Sequence, residues 1–436
     1  MRFFSAAVSA LLAVSQVVAA VSIKVPTANL AERHATIAPK FFIISMFTPE
    51  ADIWYEKLPT SGLGDLLAVN ISTPGLSMLF PHVHCTEDLQ ICQVTTGESE
   101  INAAATMMAV VLSDRFDLTL TYFMVGGIAG VNPAWSTLGG VALSRYAVQV
   151  ALQYEFDARE MPANFTTGYV GYGTLQPDVM PETWYGTEVF EVNEDLRQAA
   201  YELASRAKLS DTDVAAEYRS RYAASGEAHA AATLAPSVVL CDSATSDVYY
   251  SGALLAEAFD NTTTLWTNGS GHYCMTAQED NATLEVLLRM AIEGLVDFGR
   301  IILMRTGSDF DRPPPGVSAY EHLLINDQNG FAIAVENIYL AGVEIVKGVL
   351  SEWDCTYKDG VQPSNYIGDV FGSLGGEPDF GTGSITQGLG VLAEGRTGDL
   401  KARDVGAVRG AVSRRGAALR RGKDVRRRKG VPFMRP

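Results

Sequence analysis

Apolar and polar residues follow one another along the chain in blocks that predict strands alternating with helices. Apolar runs predict strands at 40–46, 91–95, 118–125 and 300–304, a β-rich segment at 141–154, and short strands at 238–241 and 247–250. Apolar residues at helical spacing predict helices at 49–56, 103–112, 193–208, 279–298 and 333–350. This alternation predicts an α/β fold with one mixed central sheet flanked by helices on both faces.

The same pattern divides the chain into four parts. Residues 1–20 combine a basic start, an apolar stretch and small final residues, which predicts a secretory signal peptide, with an uncleaved anchor helix as the alternative. Residues 35–370 are predicted to form the globular body. Residues 371–400 are rich in glycine and predict an extended segment, and residues 401–436 predict a basic, disordered tail. The signal predicts a protein that is secreted or held at the cell surface.

The formal net charge of −17 conceals an asymmetry between the tail and the rest of the chain. Residues 401–436 carry 13 Lys and Arg against two Asp, a net of +11, which leaves −28 on the remainder because −17 minus 11 is −28. A body this acidic argues against nucleic acid as a partner. The tail is either a solvated appendage or a segment that binds anionic surfaces.

Two apolar segments of the body, 287–303 and 331–350, are candidates for membrane spans. The second contains Glu336, Glu344 and Lys347, and the first contains four charged residues. Each charge at the centre of a bilayer costs about 2.5–3.5 kcal/mol. We therefore expect no integral membrane span beyond the signal.

The five cysteines suit an oxidising compartment, in which disulfides persist. The short spacing predicts a bridge between Cys85 and Cys92, and a second bridge between Cys241 and Cys274 would leave Cys355 free. Other pairings stay open, because spacing alone does not determine them. Glycosylation sequons at 70, 164, 261 and 268 agree with this compartment.

Two predicted strand ends carry residues suited to a sugar or an anion, which α/β proteins bind where strands end. The glycines at 126–130 allow close approach to the backbone, so that N–H groups can face an anion or a sugar; a tight turn is the alternative. Gln278 and Glu279 begin a predicted helix. The Glu279 carboxylate can accept both hydroxyls of a ribose, although the helix dipole alone also favours an acid there.

A third strand end carries Ser308 and Asp309, directly after an apolar run. A partly desolvated carboxyl at such a position can hold or donate a proton. The alternatives are an Asx turn or an ion pair with Arg305 or Arg312.

Three further features of the sequence are weaker evidence for or against a functional site. His82 and His84 lie beside Cys85, but no second ligand pair has zinc spacing, so no metal or cofactor is expected. No G-x-S-x-G motif is present, which argues against an esterase nucleophile. The aromatic pairs at 54–55 and 249–250 can stack on a base or pack in the core.

Seven segments together resemble the purine nucleoside permease family, which is related to the nucleoside phosphorylases and nucleosidases. They extend over about residues 37–380 and read FFIISMFTPEADIWY, LSMLFPHVHCTEDLQICQVTTGESEINAAA, TYFMVGGIAGVNP, RYAVQVALQYEFDAREMP, CDSATSDVYYSG, TAQEDNATLE and MRTGSDFDRPPPG. The resemblance implies a nucleoside-phosphorylase-like sheet, purine nucleosides as partners, and cleavage of their N-glycosidic bond.

The resemblance also implies roles for individual residues. Asp309, which follows Ser308, resembles the aspartate that protonates purine N7, and Glu279 resembles the glutamate that binds the ribose hydroxyls. Gln278 stands where the nucleoside phosphorylases and nucleosidases usually have methionine, and it makes the sugar pocket more polar. Because Asn281 would lie beside this pocket, its glycosylation is not expected. The loop that faces phosphate or the attacking water corresponds to Gly127, Ile128, Ala129 and Gly130.

Glu50 resembles the glutamate that activates water in the nucleosidase branch, at a spacing from Met46 one residue longer than in that branch. The glycines at 126–130 and the residues between them include no Arg or Lys, and the body is acidic, so we expect hydrolysis rather than phosphorolysis. A phosphate-dependent phosphorylase and a nucleoside-binding component of transport without catalysis are the alternatives. Phosphate as a second substrate and assembly into a homo-oligomer stay open.

Overall fold

The computed structural model describes residues 36–378. The signal predicted at 1–20, most of the glycine-rich segment at 371–400 and the basic tail at 401–436 lie outside the described residues, and so do their predictions.

The described residues form strands and helices that we label in chain order. The strands are β1 Phe41–Ser45, β2 Val69–Ile71, β3 Val83–Cys85, β4 Ile91–Thr95, β5 Tyr122–Val131, β6 Val141–Ser144, β7 Tyr146–Gln149, β8 Tyr154–Glu155, β9 Tyr169–Val170, β10 Val189–Glu191, β11 Val238–Leu240, β12 Asp242–Thr245, β13 Tyr273–Ala277, β14 Ile301–Phe310 and β15 Gly368–Asp369. The helices are α1 Thr48–Lys57, α2 Glu100–Val111, α3 Glu194–Ala204, α4 Asp213–Ser220, α5 Ala253–Trp266, α6 Asp280–Ile292, α7 Ala319–Leu324 and α8 Phe331–Ser351.

One mixed sheet of 13 strands organises the described residues, and β8 and β9 pair separately. Strand β1 lies between β4 and β5 and is parallel to both, and β14 is parallel to β5. Antiparallel neighbours such as β6, which pairs with β14, make the sheet mixed.

Alternate residues of β1 show that helices cover both faces of the sheet. Phe42 and Ile44 pack with residues of α2 and α6, whereas Phe41 and Ile43 pack with residues of α1, α3 and α8. Successive side chains of a strand point to opposite faces, so a continuous apolar run indicates a strand buried on both sides. The predicted mixed sheet with helices on both faces is confirmed.

Two strands that shape the cavity described below are longer than predicted. The strand expected at 118–125 is β5, which continues through the glycines to Val131, and the strand expected at 300–304 is β14, which continues to Phe310. Their glycine and polar residues resemble a loop in sequence. The two strands nevertheless pair with each other from Phe123 and Ile301 onward, because ladder hydrogen bonds use only the backbone.

Two shorter elements also differ from their predictions. No strand forms at 247–250, where a loop leads from β12 towards α5. The helix expected at 279–298 ends at Ile292, because Gly294 adopts a positive φ of 72° and the chain then turns towards β14.

The cysteine prediction is confirmed. Cys85 of β3 is bonded to Cys92 of β4, and Cys241, which lies between β11 and β12, is bonded to Cys274 of β13. Cys355 is free. Asn281 is 2% exposed and its amide donates to the backbone carbonyl of Thr187, which agrees with the expectation that this sequon is not modified.

Candidate active site

A cavity of about 430 Å³ lies where several strands end. Its walls are formed by the segment after β1, the carboxyl halves of β5 and β14, the loops after β12 and β13, and the residues from α7 to the start of α8. Of the residues selected from the sequence, it is lined by Glu50, Ile128, Ala129, Gly130, Gln278, Glu279, Ser308 and Asp309. The fold therefore brings together candidates that lie up to about 260 positions apart, since 309 minus 50 is 259.

Glu50 enters the cavity from the first turn of α1 and is 1% exposed. Its Oε2 accepts a hydrogen bond from the Met46 backbone N–H at 2.8 Å, and its Oε1 accepts one from the Ile128 N–H at 2.7 Å. Burial raises the pKa of Glu50 to about 7, against the opposing influence of the Arg305 guanidinium and these two N–H groups. A carboxyl with this pKa can gain and lose a proton near neutral pH.

Gly127 makes room for the charged groups beside it. A Cβ at this position would lie 2.1 Å from Cε of Met46, 2.7 Å from Oε1 of Glu50 and 2.8 Å from Nη1 of Arg305. Gly127 has no positive φ, so it is the absence of a side chain, not backbone freedom, that the site requires here.

We expect Gly127→Ala to lower the free energy of unfolding by about 1–3 kcal/mol, because the added methyl group would displace Cε of Met46 and the hydrogen-bonded ends of Glu50 and Arg305. Gly126→Ala is the matched control, since a Cβ there meets no atom nearer than 3.7 Å. Urea unfolding of the two variants measures the difference. Equal stabilities would contradict the steric role of Gly127.

The prediction that the glycines at 126–130 form a loop with N–H groups free to face an anion or a sugar is wrong. Residues 127–130 lie within β5, not in a loop after it, and their N–H groups do not point freely into the cavity. The N–H of Ile128 donates to Glu50, and the N–H of Gly130 donates to Oγ1 of Thr276 at 2.7 Å. The segment positions Glu50 and supplies the wall at 128–130, and it does not form an N–H nest for an anion.

Arg305 is a buried cation that the sequence did not identify as part of the site. It lies on β14 opposite Gly127, and all three of its side-chain nitrogens donate to protein acceptors. Nη2 contacts Glu279 at 3.1 Å and Asp280 at 2.5 Å, and these three side chains are each at most 4% exposed. An arginine inside an apolar strand is itself a signal, because a buried guanidinium requires carboxylate partners.

Glu279 lies immediately before α6, and this position holds its carboxylate at the base of the cavity. Oε1 accepts from the Ser99 N–H at 2.9 Å, and Oε2 accepts from Arg305. Ser99 has a φ of 78°, which is unusual for a residue other than glycine and directs its N–H towards Glu279. Burial raises the pKa of Glu279, while Arg305 and Ser99 act in the opposite direction. Gln278 lines the same cavity and donates from Nε2 to the Asp247 carbonyl.

Asp309 follows a bulge in β14 that re-aims the end of the strand. The pairing with β5 shifts between Gly307 and Asp309, so that Asp309 lies opposite Gly130. Ser308 Oγ lies 2.7 Å from Asp309 Oδ1 and 3.1 Å from the Ala129 carbonyl oxygen. Burial raises the pKa of Asp309 to about 6, while hydrogen bonds from Ser308 and Tyr249 lower it.

The ion pairs considered for Asp309 from the sequence do not form. Arg305 pairs with Glu279 and Asp280, and Arg312 pairs with Asp311. Without a cation beside it, the half-buried carboxyl of Asp309 can hold a proton near neutral pH.

Two further residues line the cavity. The sequence indicated Tyr249 only as a weak candidate and did not indicate His322. Tyr249 donates from its hydroxyl to Asp309 Oδ2 at 2.8 Å, and only its neighbour Tyr250 packs in the core. His322 on α7 is buried, with Nε2 2.8 Å from the Phe310 carbonyl oxygen and Nδ1 2.8 Å from the Tyr218 hydroxyl. No local motif marks either residue, because both act through contacts distant in sequence.

Of the weaker sequence candidates, the histidine pair and the aromatic pair at 54–55 lie outside the cavity. His84 Nδ1 hydrogen-bonds to Asn70, and neither His82 nor His84 is among the lining residues. Trp54 is fully buried and packs edge-on against Tyr339. Within residues 36–378, no helix combines the length and the apolar character needed to cross a bilayer.

The chain matches one protein family by its family model and by its sequence relatives. The family model of purine nucleoside permeases matches residues 38–362. The chain is 48% identical over 364 residues to the purine nucleoside permease of Candida albicans, which covers 82% of this chain and 87% of the relative. It is 39% identical over 348 residues to a probable purine nucleoside permease of Schizosaccharomyces pombe, covering 78% of this chain and 97% of the relative.

Among solved structures, the 5′-methylthioadenosine/S-adenosylhomocysteine nucleosidase of Neisseria meningitidis is similar to 72% of this chain and to 99% of its own. The identity is 13% and the TM-score is 0.38. A likeness this distant bears on neither the activity nor the residue roles.

Proposed function

The chain belongs to the purine nucleoside permease family, and we propose that it binds purine nucleosides in the cavity and cleaves their N-glycosidic bond with water. Two carboxyl groups with pKa values near neutrality, Glu50 at about 7 and Asp309 at about 6, line one cavity. This pairing carries the proposal, because bond cleavage of this kind needs one group to accept a proton and another to donate one.

The proposed reaction balances through these two groups. Glu50 takes a proton from water as the water oxygen bonds to C1′ of the sugar. The electron pair of the C1′–N9 bond passes to the purine, and Asp309 donates its proton to N7 of the leaving base. Glu279 accepts hydrogen bonds from the ribose hydroxyls, and exchange with solvent then restores both protonation states.

The charges of the cavity favour water over phosphate as the nucleophile. Its lining includes the carboxyl groups of Glu50, Glu98, Glu279, Asp309 and Asp327. Among the described residues that line the cavity, Arg305 is the one Lys or Arg, and its three side-chain nitrogens already donate to the protein. A phosphate dianion needs cationic donors, and this cavity would instead repel it.

The direct test is incubation of purified protein with inosine, adenosine or guanosine, with and without inorganic phosphate. We expect free base and ribose in equal amounts at a rate that does not depend on phosphate. Ribose 1-phosphate formed only in the presence of phosphate would show a phosphorylase. Saturable nucleoside binding without release of base would support the binding role in transport that the permease name suggests.

We expect Glu50→Gln to lower kcat by about 10²–10⁴-fold, because the amide cannot accept the proton of water. In the wild type, activity needs Glu50 ionised and Asp309 protonated, so kcat/KM should peak between their pKa values of about 7 and about 6 and fall at more acidic pH, where protonation of Glu50 removes the base. That acid-side decline should be absent from the residual activity of the variant. A wild-type decline that persists unchanged in Glu50→Gln would assign the base to another group.

A further inference from the structure

We propose that Tyr249 is a positioning residue, whose hydroxyl holds Oδ2 of Asp309 and stabilises the carboxylate that remains after the proton has passed to the purine. This inference rests on the proposed function, and it assigns to Tyr249 a role beyond stacking on the base.

Two hydroxyl groups contact the Asp309 carboxyl, one at each oxygen. Tyr249 Oη lies 2.8 Å from Oδ2, and Ser308 Oγ lies 2.7 Å from Oδ1, so each oxygen has its own donor. Tyr249 comes from the loop after β12, whereas Asp309 and Ser308 belong to β14. The contact therefore depends on the loop that closes one side of the cavity.

The two donors differ in what they can do when Asp309 is protonated. Ser308 has a second acceptor, the Ala129 carbonyl oxygen at 3.1 Å, and can turn its single hydrogen there. Within residues 36–378, Asp309 is the one acceptor of the Tyr249 hydroxyl. Tyr249 therefore gains most of its hydrogen-bond energy when Asp309 is ionised, which is the state that follows proton transfer.

The exposure of Tyr249 separates it from a structural tyrosine. Its side chain is 59% exposed and its hydroxyl end faces the cavity, whereas the adjacent Tyr250 is 7% exposed and donates to the Tyr273 hydroxyl within the core. Desolvation at the hydroxyl and the nearby Asp309 carboxylate both raise the pKa of Tyr249, so its hydroxyl keeps its proton throughout the neutral range.

The other titratable groups around Asp309 do not replace this donor. Asp311, two residues along the chain, raises the pKa of Asp309 but is itself paired with Arg312. Among the described residues, the remaining titratable groups that face Asp309 or share its cavity are Glu50, Glu98, Tyr218, Tyr222, Tyr250, Glu279, Arg305, His322 and Asp327. None of them is hydrogen-bonded to the Asp309 carboxyl.

The test is Tyr249→Phe, which removes the hydroxyl and keeps the ring. Losing a hydrogen bond to an ionised carboxylate should raise the pKa of Asp309 by about 1. NMR titration of protein labelled with carboxyl-¹³C aspartate measures this directly, with the Asp309 signal identified by its loss in Asp309→Asn. Tyr154→Phe, an exposed tyrosine in the separate β8–β9 hairpin, is the control and should leave the titration unchanged.

The pH profile of kcat is a second readout, and it would not change if Tyr249 only stacked on the base or only stabilised the fold. We expect Tyr249→Phe to lower kcat by about two- to tenfold at low pH, because a weaker acid transfers its proton more slowly. The alkaline decline of kcat should shift to higher pH. KM should change little. A raised KM with an unmoved pH profile would show that the ring only stacks on the base.

The two proposals fail separately. If the wild type releases no base but the Asp309 titration still shifts in Tyr249→Phe, the proposed function is wrong and the coupling of Tyr249 to Asp309 stands. If the wild type is active and the titration does not shift, the proposed role of Tyr249 is overturned.

Discussion

Replacement of Asp309 by asparagine is expected to lower kcat for purine nucleosides by about 10²–10⁴-fold, while the dissociation constant of the nucleoside changes only a few-fold. The amide keeps the size of the carboxyl and can still hydrogen-bond to the base, but it has no acidic proton to give. Because the pKa of Asp309 is about 6, the wild-type kcat/KM should also fall as the pH rises and the carboxyl loses its proton. Single-turnover release of base, combined with equilibrium binding, separates these two quantities.

Asp327→Asn provides the control for this substitution. Asp327 lines the same cavity, but its carboxylate is exposed and accepts a bond from the nearby Asn329 backbone N–H. We expect its loss to change kcat less than tenfold. Equal effects of the two substitutions, or a loss of binding that matches the loss of kcat in Asp309→Asn, would show that Asp309 binds substrate without acting as the acid.

Strands β1 and β4 and the two disulfides could be predicted because their signals are local. A continuous apolar run such as that around Phe41 to Ile44 specifies a strand buried on both faces wherever it pairs. Cys85 and Cys92 lie directly opposite each other on paired strands, as their short spacing allows. Glu279 and Asp309 could be selected for the same reason, since each follows an apolar run at a predicted strand end.

The network around these carboxylates could not be predicted from local patterns. The Ser99 N–H that binds Glu279 lies 180 positions away, and the Tyr249 hydroxyl that binds Asp309 lies 60 positions away. Only the sheet order brings them together. The glycine pattern was misinterpreted for a related reason. Gly127 resembles part of a ligand-binding loop, but glycine is required there because Met46, which follows β1, and Arg305 of β14 lie against it.

We expect Arg305→Met to lower the free energy of unfolding by about 3–5 kcal/mol at pH 7.5, because it leaves buried carboxylates without their counter-ion. Glu279 and Asp280 form ion pairs with Arg305, and the positive charge of Arg305 also lowers the pKa of Glu50. Arg289→Met, which breaks an exposed pair with Glu285, should cost less than 1 kcal/mol. Urea unfolding of both variants supplies the comparison.

The pH dependence of Arg305→Met identifies the cause of the loss. Without the guanidinium, the pKa of Glu279, already raised by burial, should rise further above its unfolded value. The folded state then binds more protons than the unfolded state, so the variant loses stability as the pH rises and regains it as the pH falls towards about 4.5. The deficit should therefore be smaller at pH 5.5 than at pH 7.5.

A compensating variant separates uncompensated charge from lost packing. Glu279→Gln and Asp280→Asn, added to Arg305→Met, remove the two charges that the cation balances and should recover more than half of the lost stability. The same triple variant should stay inactive, since it lacks the carboxylate proposed to bind ribose. If the single variant were as stable as Arg289→Met, or its deficit were the same at both pH values, the buried charges would not depend on Arg305.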